Sequence, residues 1–228
     1  MAYRLIGKNF TPPDIHAKVT GAAKYAEDFR ADGMVFVKTF PSPMPHAKVK
    51  SIDVSRARKM PGVVGVLLPD EVKQPKDAGH AILTSYPVFV GQPILAIAAQ
   101  TEQQAEDALE MVKVKLDPLP FVTDPLESLK PNGPNANTGG NVANRRKIKL
   151  QQIKWSGKDF ALAGDDKLPM GKAAAEWSYG DLDAGFKKAK VVLEESFVSA
   201  ANAHHALEPR SAAAYWENGK CNVWGSTQ

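Results

Sequence analysis

The stretch VGQPILAIAAQTEQQAEDALEMVKVKLDPL, residues 90–119, carries the clearest succession of structural signals in the chain. Its apolar run ILAIAA is continuous, which is typical of a strand covered on both faces. Thr101 and Gln104 form a capping-box pattern, and the apolar positions that follow repeat at helical spacing. VKVKLDPL then alternates between polar and apolar residues. This stretch therefore predicts a strand, a capped helix and a second strand.

The residues before this stretch add further strands. MVFVKTF (34–40) and AKVKSIDV (47–54) are rich in β-branched and aromatic residues, and a segment with three prolines joins them as a rigid turn. Ser55 can cap a short helix, SRARKM, and the apolar run VVGVLL (63–68) predicts another strand. The order of elements predicts a mixed α/β domain over roughly residues 15–125.

The residues after this stretch fall into two parts. Residues 131–178 have little periodicity and many turn formers, which predicts a linker or an arm that orders against a partner. VVLEESFVSA (191–200) predicts a long strand, and Asn218-Gly219 predicts a type I′ hairpin of Ser211–Trp216 with Cys221–Thr227. These few elements are too small to bury a core, so we expect another polypeptide to complete their sheet.

Composition excludes several classes of protein. The chain has 228 residues, 43% hydrophobic and 24% charged, as in ordinary globular proteins. A net charge of +4 gives little support for nucleic-acid binding. The single cysteine, Cys221, excludes an internal disulfide or a cysteine metal cluster within this sequence. Without a signal peptide or a membrane-length apolar run, we expect a cytoplasmic protein with no direct membrane insertion.

The segment HHALEPR, residues 204–210, raises the question of a metal or acid–base site. Successive strand residues point to opposite faces, so His204 and His205 would not both reach one ion without a bend. We therefore favour polar core or interface histidines over a metal site, and we expect Glu208 to pair with a nearby donor such as Arg210.

Other candidate residues also have simpler explanations. His46 is expected to bond to backbone, and Asp181 is expected to cap a helix rather than act as a base. NRRKIK (144–149) is interpreted as a solvated or partner-facing basic patch, and Cys221 lacks a nearby histidine in sequence. No nucleotide-binding glycine motif is present. Residue chemistry alone therefore yields no complete active site.

The motifs taken together resemble a known family. The stretches beginning KVTGAAKYAEDF, VGQPILAIAAQT, YGDLDAGFKKAK and HHALEPRSAAAY, in this order, resemble the molybdopterin-binding large subunit of xanthine dehydrogenases and aldehyde oxidases. The resemblance implies an α/β (α+β) fold: a hammerhead domain over residues 1–130, an extended arm over 131–178, and the first strands of a molybdopterin-binding domain over 179–228.

The same resemblance implies a molybdenum hydroxylase component that oxidises an aldehyde or N-heteroaromatic compound with water. The cofactor would be molybdopterin-bound molybdenum, in bacteria often as the cytosine dinucleotide, shared with a separate chain that supplies the rest of the subunit and the base glutamate. Other subunits would carry [2Fe–2S] clusters and FAD or haem, as flavin or cytochrome subunits. Gln228 matches the glutamine that donates a hydrogen bond to the molybdenum oxo ligand.

Alternative functions stay open at this point. The chain could be a non-catalytic hammerhead module that binds a partner, or, less in keeping with its charge, a basic RNA-binding protein. The multi-chain reading leaves the compartment open as well, because a partner that bears a signal peptide could take the complex to the periplasm.

Overall fold

The computed structural model describes residues 4–74, 81–135, 139–144, 149–160, 175–193, 195, 197 and 205–226. The chain divides into two compact units. The first unit combines residues 1–34 with residues 198–228, and the second comprises residues 35–197. The predicted domain boundaries at 130 and 178 are a separate matter and stay a prediction.

Short helices and antiparallel strand pairs make up the regular structure. The helices among the described residues are α1 (Ile15–Val19), α2 (Glu102–Glu110), α3 (Pro125–Leu129) and α4 (Leu182–Lys188). The strands are β1 (Phe36–Pro41), β2 (Ala47–Asp53), β3 (Val63–Leu67), β4 (Pro93–Ala99), β5 (Lys113–Pro118), β6 (Val142–Asn144), β7 (Lys149–Gln151), β8 (Ala212–Glu217) and β9 (Lys220–Gly225). This content confirms the predicted mixed α/β class.

The core of the second unit forms around β4. This strand lies between β1 and β3 in an antiparallel sheet, and its residues Ile94, Leu95 and Ile97 are fully buried. Helix α2 packs on the sheet through Ala105 and Ala108, which are also fully buried. The continuous apolar run was therefore a correct indication of a strand covered on both faces.

Polar contacts stabilise the start of α2 and join the helix to β1. At its N-terminus Thr101 Oγ1 accepts a hydrogen bond from Gln104 N at 3.2 Å, and Gln104 Oε1 accepts one from Thr101 N at 3.1 Å, which confirms the capping box. Along its length Glu102 and Glu106 both contact the Lys38 ammonium of β1. The hydrogen bonds that Lys38 donates to Glu102 and, to a smaller extent, to Glu106 raise the pKa of Lys38.

Strands β1 and β2 do not pair with each other, although they are consecutive. β2 pairs with β5 instead, and the proline-rich segment between β1 and β2 bonds to the residues before β4 through Ser42 N to Gln92 O at 2.9 Å. Prolines have no N–H to donate to a hairpin ladder, which is a physical reason for this separation. The predicted helix SRARKM is reduced to a 3-10 turn, Ala57–Lys59.

The predicted arm contains more structure than its sequence indicates. Strands β6 and β7 form a short antiparallel pair, and the Asn141 side chain extends it by accepting from Ile153 N and donating to Ile153 O, both at 2.8 Å. The Lys154 ammonium donates to Ser128 O at 2.5 Å, and to Gly133 O and Asn135 Oδ1 at 2.8 Å. These bonds fasten the described start of the arm to the loop after α3.

The long strand predicted over residues 191–200 is absent from its described part. Val191, Val192 and Leu193 have no regular structure and are exposed, whereas residues 194, 196 and 198–200 lie outside the described residues. A strand requires a neighbour to satisfy its backbone groups, and none of the described strands pairs with these residues.

Candidate cofactor-binding region

The region that leads to Gln228 is the C-terminal hairpin of the first unit. β8 and β9 pair in register from Ala212 with Gly225 to Glu217 with Lys220. Asn218 and Gly219 connect them with φ angles of 50° and 74°, the positive values that a type I′ turn requires. The predicted hairpin is confirmed, with strand ends shifted by one or two residues.

An aromatic stack fixes one face of this hairpin. The Tyr215 and Trp224 rings are diagonal neighbours across the strands, with centroids 5.0 Å apart and planes 20° from parallel. Phe29, from the N-terminal part of the chain, stacks on Trp224 at 5.6 Å and 10°. Phe29 therefore contributes to this face of the hairpin from within the chain, while the sheet of β8 and β9 stays two-stranded, and its completion by another polypeptide stays a prediction. A 3-10 turn, Ala26–Asp28, packs on β8 immediately before Phe29.

Hydrogen bonds at the open end of the hairpin direct the chain after β9. Ser226 N donates to Ser211 O at 3.2 Å, and Ser211 N donates to Ser226 Oγ at 3.3 Å. The Ser211 hydroxyl oxygen is itself buried and has no hydrogen-bond partner among the described residues. Neutral hydroxyl groups therefore flank the position from which Thr227 and Gln228 continue.

Gln228, the predicted site residue, lies outside the described residues, as does Thr227. The described neighbours can be tested for their fit to the molybdopterin cofactor. Between Cys221 and Ser226 there is no carboxylate that would repel an anionic cofactor, and the buried Ser211 hydroxyl has an unused hydrogen-bonding capacity. These groups are compatible with such a ligand, and the role of Gln228 stays a prediction.

The described residues of the HHALEPR segment, 205–210, do not form a compact site. His204 lies outside the described residues, while His205 is exposed with a φ of 48° and Leu207 is fully exposed. Glu208 makes no ion pair with Arg210 in the described structure, contrary to expectation. Its charge acts on Lys18, whose pKa is raised mainly by a hydrogen bond to Asp14.

The other candidates have structural roles. His46 Nδ1 lies 2.6 Å from Pro120 O, which confirms the expected bond to backbone. Asp181 Oδ1 accepts from Ala184 N at 3.0 Å, which confirms it as the N-cap of α4. Cys221 is exposed, and residues 145–148 of the basic patch lie outside the described residues. The described residues contain no group of three or more potential metal ligands from histidine, cysteine, aspartate and glutamate.

Sequence comparison matches two successive parts of the chain to family models. Residues 20–120 match the family model for the aldehyde oxidase and xanthine dehydrogenase a/b hammerhead domain, and residues 165–228 match the model for the molybdopterin cofactor-binding domain. The chain belongs to the aldehyde oxidase and xanthine dehydrogenase family. Together the two matches include the hairpin, α4 and the β4–α2–β5 region.

Individual relatives agree with this assignment. The nicotinate dehydrogenase large molybdopterin subunit of Eubacterium barkeri is 28% identical over 99% of this chain and 48% of its own length. The carbon monoxide dehydrogenase large chain of Afipia carboxidovorans is 30% identical over 91% of this chain and 25% of its own length. The chain thus spans about half or less of the length of these relatives.

Solved structures are similar in fold. The crystal structure of quinoline 2-oxidoreductase from Pseudomonas putida matches 58% of this chain and 18% of its own, with a TM-score of 0.53 and 28% identity. The aldehyde oxidoreductase from Desulfovibrio desulfuricans matches 60% of this chain and 17% of its own, also with a TM-score of 0.53 and 28% identity.

Sequence reasoning missed the contribution of Phe29. The small number of C-terminal elements pointed to another polypeptide, and no local signal connects residues nearly two hundred positions apart. The aromatic residues Tyr25 and Phe29, which flank an acidic turn, were the available clue.

Proposed function

We propose that this chain is a component of a molybdenum hydroxylase complex that oxidatively hydroxylates an aldehyde or N-heteroaromatic substrate with water. The observation that carries the proposal is the ordered pair of family matches, hammerhead then molybdopterin-binding, on one chain. The base glutamate of the resemblance lies outside this sequence. We therefore expect the chain to be inactive alone.

Exposed apolar side chains support a further polypeptide in the complex. Eight large apolar residues in and around α4 are more than half exposed, which is unfavourable in water. They are Trp177, Tyr179, Leu182, Phe186, Val191, Val192, Leu193 and Phe197. We assign them to contacts with the remainder of the molybdopterin-binding subunit, supplied as a separate chain.

The proposed complex also contains a [2Fe–2S] subunit and a flavin or cytochrome subunit, with FAD or haem as the electron carrier. When bound, the molybdenum cofactor, proposed to be the cytosine dinucleotide form, supplies the two-electron oxidising centre. Gln228 would donate a hydrogen bond from its neutral amide to that centre, which stabilises charge without introducing a titrating proton. The stacked hairpin would hold the chain leading to Gln228 in a fixed direction.

We place the complex in the cytoplasm, or in the periplasm if a partner with a signal peptide exports it. Among the described residues, no helix has both the length and the apolar character needed to cross a membrane.

Purification from the native host under non-denaturing conditions tests the proposal. We expect the chain to elute with a larger polypeptide, with molybdenum and iron in the same fractions and a [2Fe–2S] absorption spectrum. A monomer without metal at native abundance would contradict the proposal and favour the non-catalytic hammerhead module.

Gln228→Ala in the purified complex tests the proposed site residue. We expect lower turnover and an altered Mo(V) electron paramagnetic resonance spectrum, with subunit composition unchanged. Gln152→Ala, at an exposed position of the arm, is the matched control. An unchanged spectrum and turnover would remove Gln228 from the site.

A further inference from the structure

The outward face of the β2–β5 ladder carries more lysines than carboxylates. Lys113 and Lys115 of β5 lie opposite Asp53 and Ser51 of β2 in the antiparallel register, and residues directly opposite share a face. Alternation places the apolar residues of both strands on the other side, where Ile52 and Val114 pack against the core. The lysines are therefore held outward by the strand pairing.

Two more lysines extend the same face. Lys48 lies opposite Asp117 in the register, and Lys50 Nζ is 3.6 Å from Asp117 Oδ1. The Lys48 ammonium also lies 5.7 Å from the centroid of the Tyr86 ring, which is 54% exposed. We call Lys48, Lys50, Lys113, Lys115 and Tyr86 the basic face.

The backbone around Tyr86 fixes its place beside β2. Val49 N donates to Ser85 O at 2.8 Å, and Ala47 N donates to Pro87 O at 3.1 Å, so the segment on both sides of Tyr86 adds to the free edge of β2. An exposed aromatic ring is thereby positioned next to the lysines by hydrogen bonds rather than by a flexible loop.

The aspartates on this face balance only part of its positive charge. The aspartates that share the face are Asp53 and Asp117, against four lysines. Asp53 accepts a hydrogen bond from Ser55 N at 3.0 Å, and the hydrogen bonds from Ser55, with a smaller contribution from the charge of Lys113, lower its pKa. Four lysines and two aspartates give this face a formal charge of +2, against +4 for the whole chain.

We propose that the basic face is a docking surface for an acidic patch on a partner protein. Charged groups across interfaces are arranged with complementary sign, and tyrosine is enriched in interfaces. A protein partner fits better than nucleic acid because Asp53 and Asp117 would repel a phosphate backbone, whereas a protein can place a donor opposite each carboxylate. This proposal concerns the hammerhead region alone and does not depend on molybdenum chemistry.

Zero-length crosslinking tests the proposal directly. Carbodiimide couples a lysine amine to a carboxylate only when the two are in contact, so the reaction reports on this kind of interface. Native-host extract containing the tagged full chain is treated with carbodiimide, and the crosslinked peptides are identified by mass spectrometry. We expect amide links from Lys113, Lys115 or Lys48 to aspartate or glutamate of another chain, and their loss in high salt.

Charge reversal provides a second, independent test. Lys113→Glu with Lys115→Glu should reduce the yield of partner crosslinked through Lys48 and Lys50 at least tenfold. Lys24→Glu with Lys220→Glu changes the charge equally at exposed positions of the other unit and should leave that yield unchanged. The neutral double variant Lys113→Gln with Lys115→Gln should give an intermediate yield. It tests whether the loss in the glutamate variant comes from charge rather than from misfolding, and circular dichroism checks the fold of all variants.

Several outcomes would overturn the proposal. One is that lysines of the basic face form crosslinks only within the chain. Another is that the Lys113/Lys115 reversal and its control give the same yield of crosslinked partner. A third is that a labelled RNA or DNA oligonucleotide binds and the reversals abolish this binding while partner crosslinks stay unchanged. A complex that contains molybdenum but gives no crosslinks from this face would contradict this inference and leave the proposed function standing.

Discussion

Replacing Gly62 with alanine should destabilise the second unit through two separate effects. Gly62 has a φ of +82°, a left-handed conformation that an L-residue adopts with strain. A Cβ at this position would also overlap the Gln104 carboxamide at less than 3.0 Å. That carboxamide forms half of the capping box of α2, so the substitution affects the helix start as well as the turn before β3.

The expected magnitude follows from these two terms. Left-handed backbone strain in a residue with a Cβ costs about 1–2 kcal/mol. Displacing the Gln104 side chain removes its bond to Thr101 N, worth about 1 kcal/mol, while the bond from Gln104 N to Thr101 Oγ1 is kept. We therefore expect Gly62→Ala to lower the free energy of unfolding by about 2–3 kcal/mol.

Urea denaturation of the full chain, followed by far-UV circular dichroism, measures this value. Gly91→Ala is the control for strain alone, because Gly91 has a φ of +91° and nothing within 4 Å of an added Cβ. Gly65→Ala adds a Cβ in open space without a positive φ and should change stability by less than about 0.5 kcal/mol.

A double mutant identifies the source of the loss. If the overlap with Gln104 matters, the destabilisation by Gly62→Ala and Gln104→Ala together should be smaller than the sum of the single values. Equal losses for Gly62→Ala and Gly91→Ala, with additive behaviour in the double mutant, would refute the steric part of the reasoning. No loss at either glycine would refute the strain part.

Two further predictions concern the arm and the hairpin. Lys154→Met removes three hydrogen bonds to neutral acceptors and should destabilise the start of the arm locally by about 1–3 kcal/mol. The expected result is faster limited proteolysis within residues 131–160. Lys158→Met, at an exposed position, is the control, and equal cleavage rates in the two variants would contradict the role of Lys154. Phe29→Ala removes the ring that stacks on Trp224, a contact worth about 0.5–1.5 kcal/mol, and should speed amide hydrogen exchange in β8 and β9. Phe10→Ala should not, and unchanged exchange in Phe29→Ala would show that the hairpin is held by other contacts.

Local signals were sufficient where the deciding contacts are close in sequence. The Thr101–Gln104 capping box, the Asp181 cap and the Asn218-Gly219 turn each involve residues within four positions, and all three are present. The continuous apolar character of β4 also indicated correctly that both faces are covered. The family was identified by the resemblance of several longer stretches in their order along the chain.

Less of the candidate site could be predicted from the sequence. Gln228 was chosen by resemblance and lies outside the described residues, so its role stays a prediction. The Ser211 hydroxyl, buried beside the end of β9, has no local pattern that marks it, because its burial depends on how the hairpin closes.

The sequence by itself indicated most of the strands, helices and turns, because propensities, caps and periodicity act over a few residues. It did not indicate β6 and β7, and it predicted a strand over 191–200 that the described residues lack. The family was identified by the resemblance of several stretches in their order along the chain. Only the tertiary structure decided that β1 pairs with β4 rather than β2, that Lys154 fastens the arm to the loop after α3, and that Phe29 covers Trp224. These contacts join residues far apart in the chain. Their free energy depends on which surfaces meet after the chain has folded, and a local pattern contains no record of that.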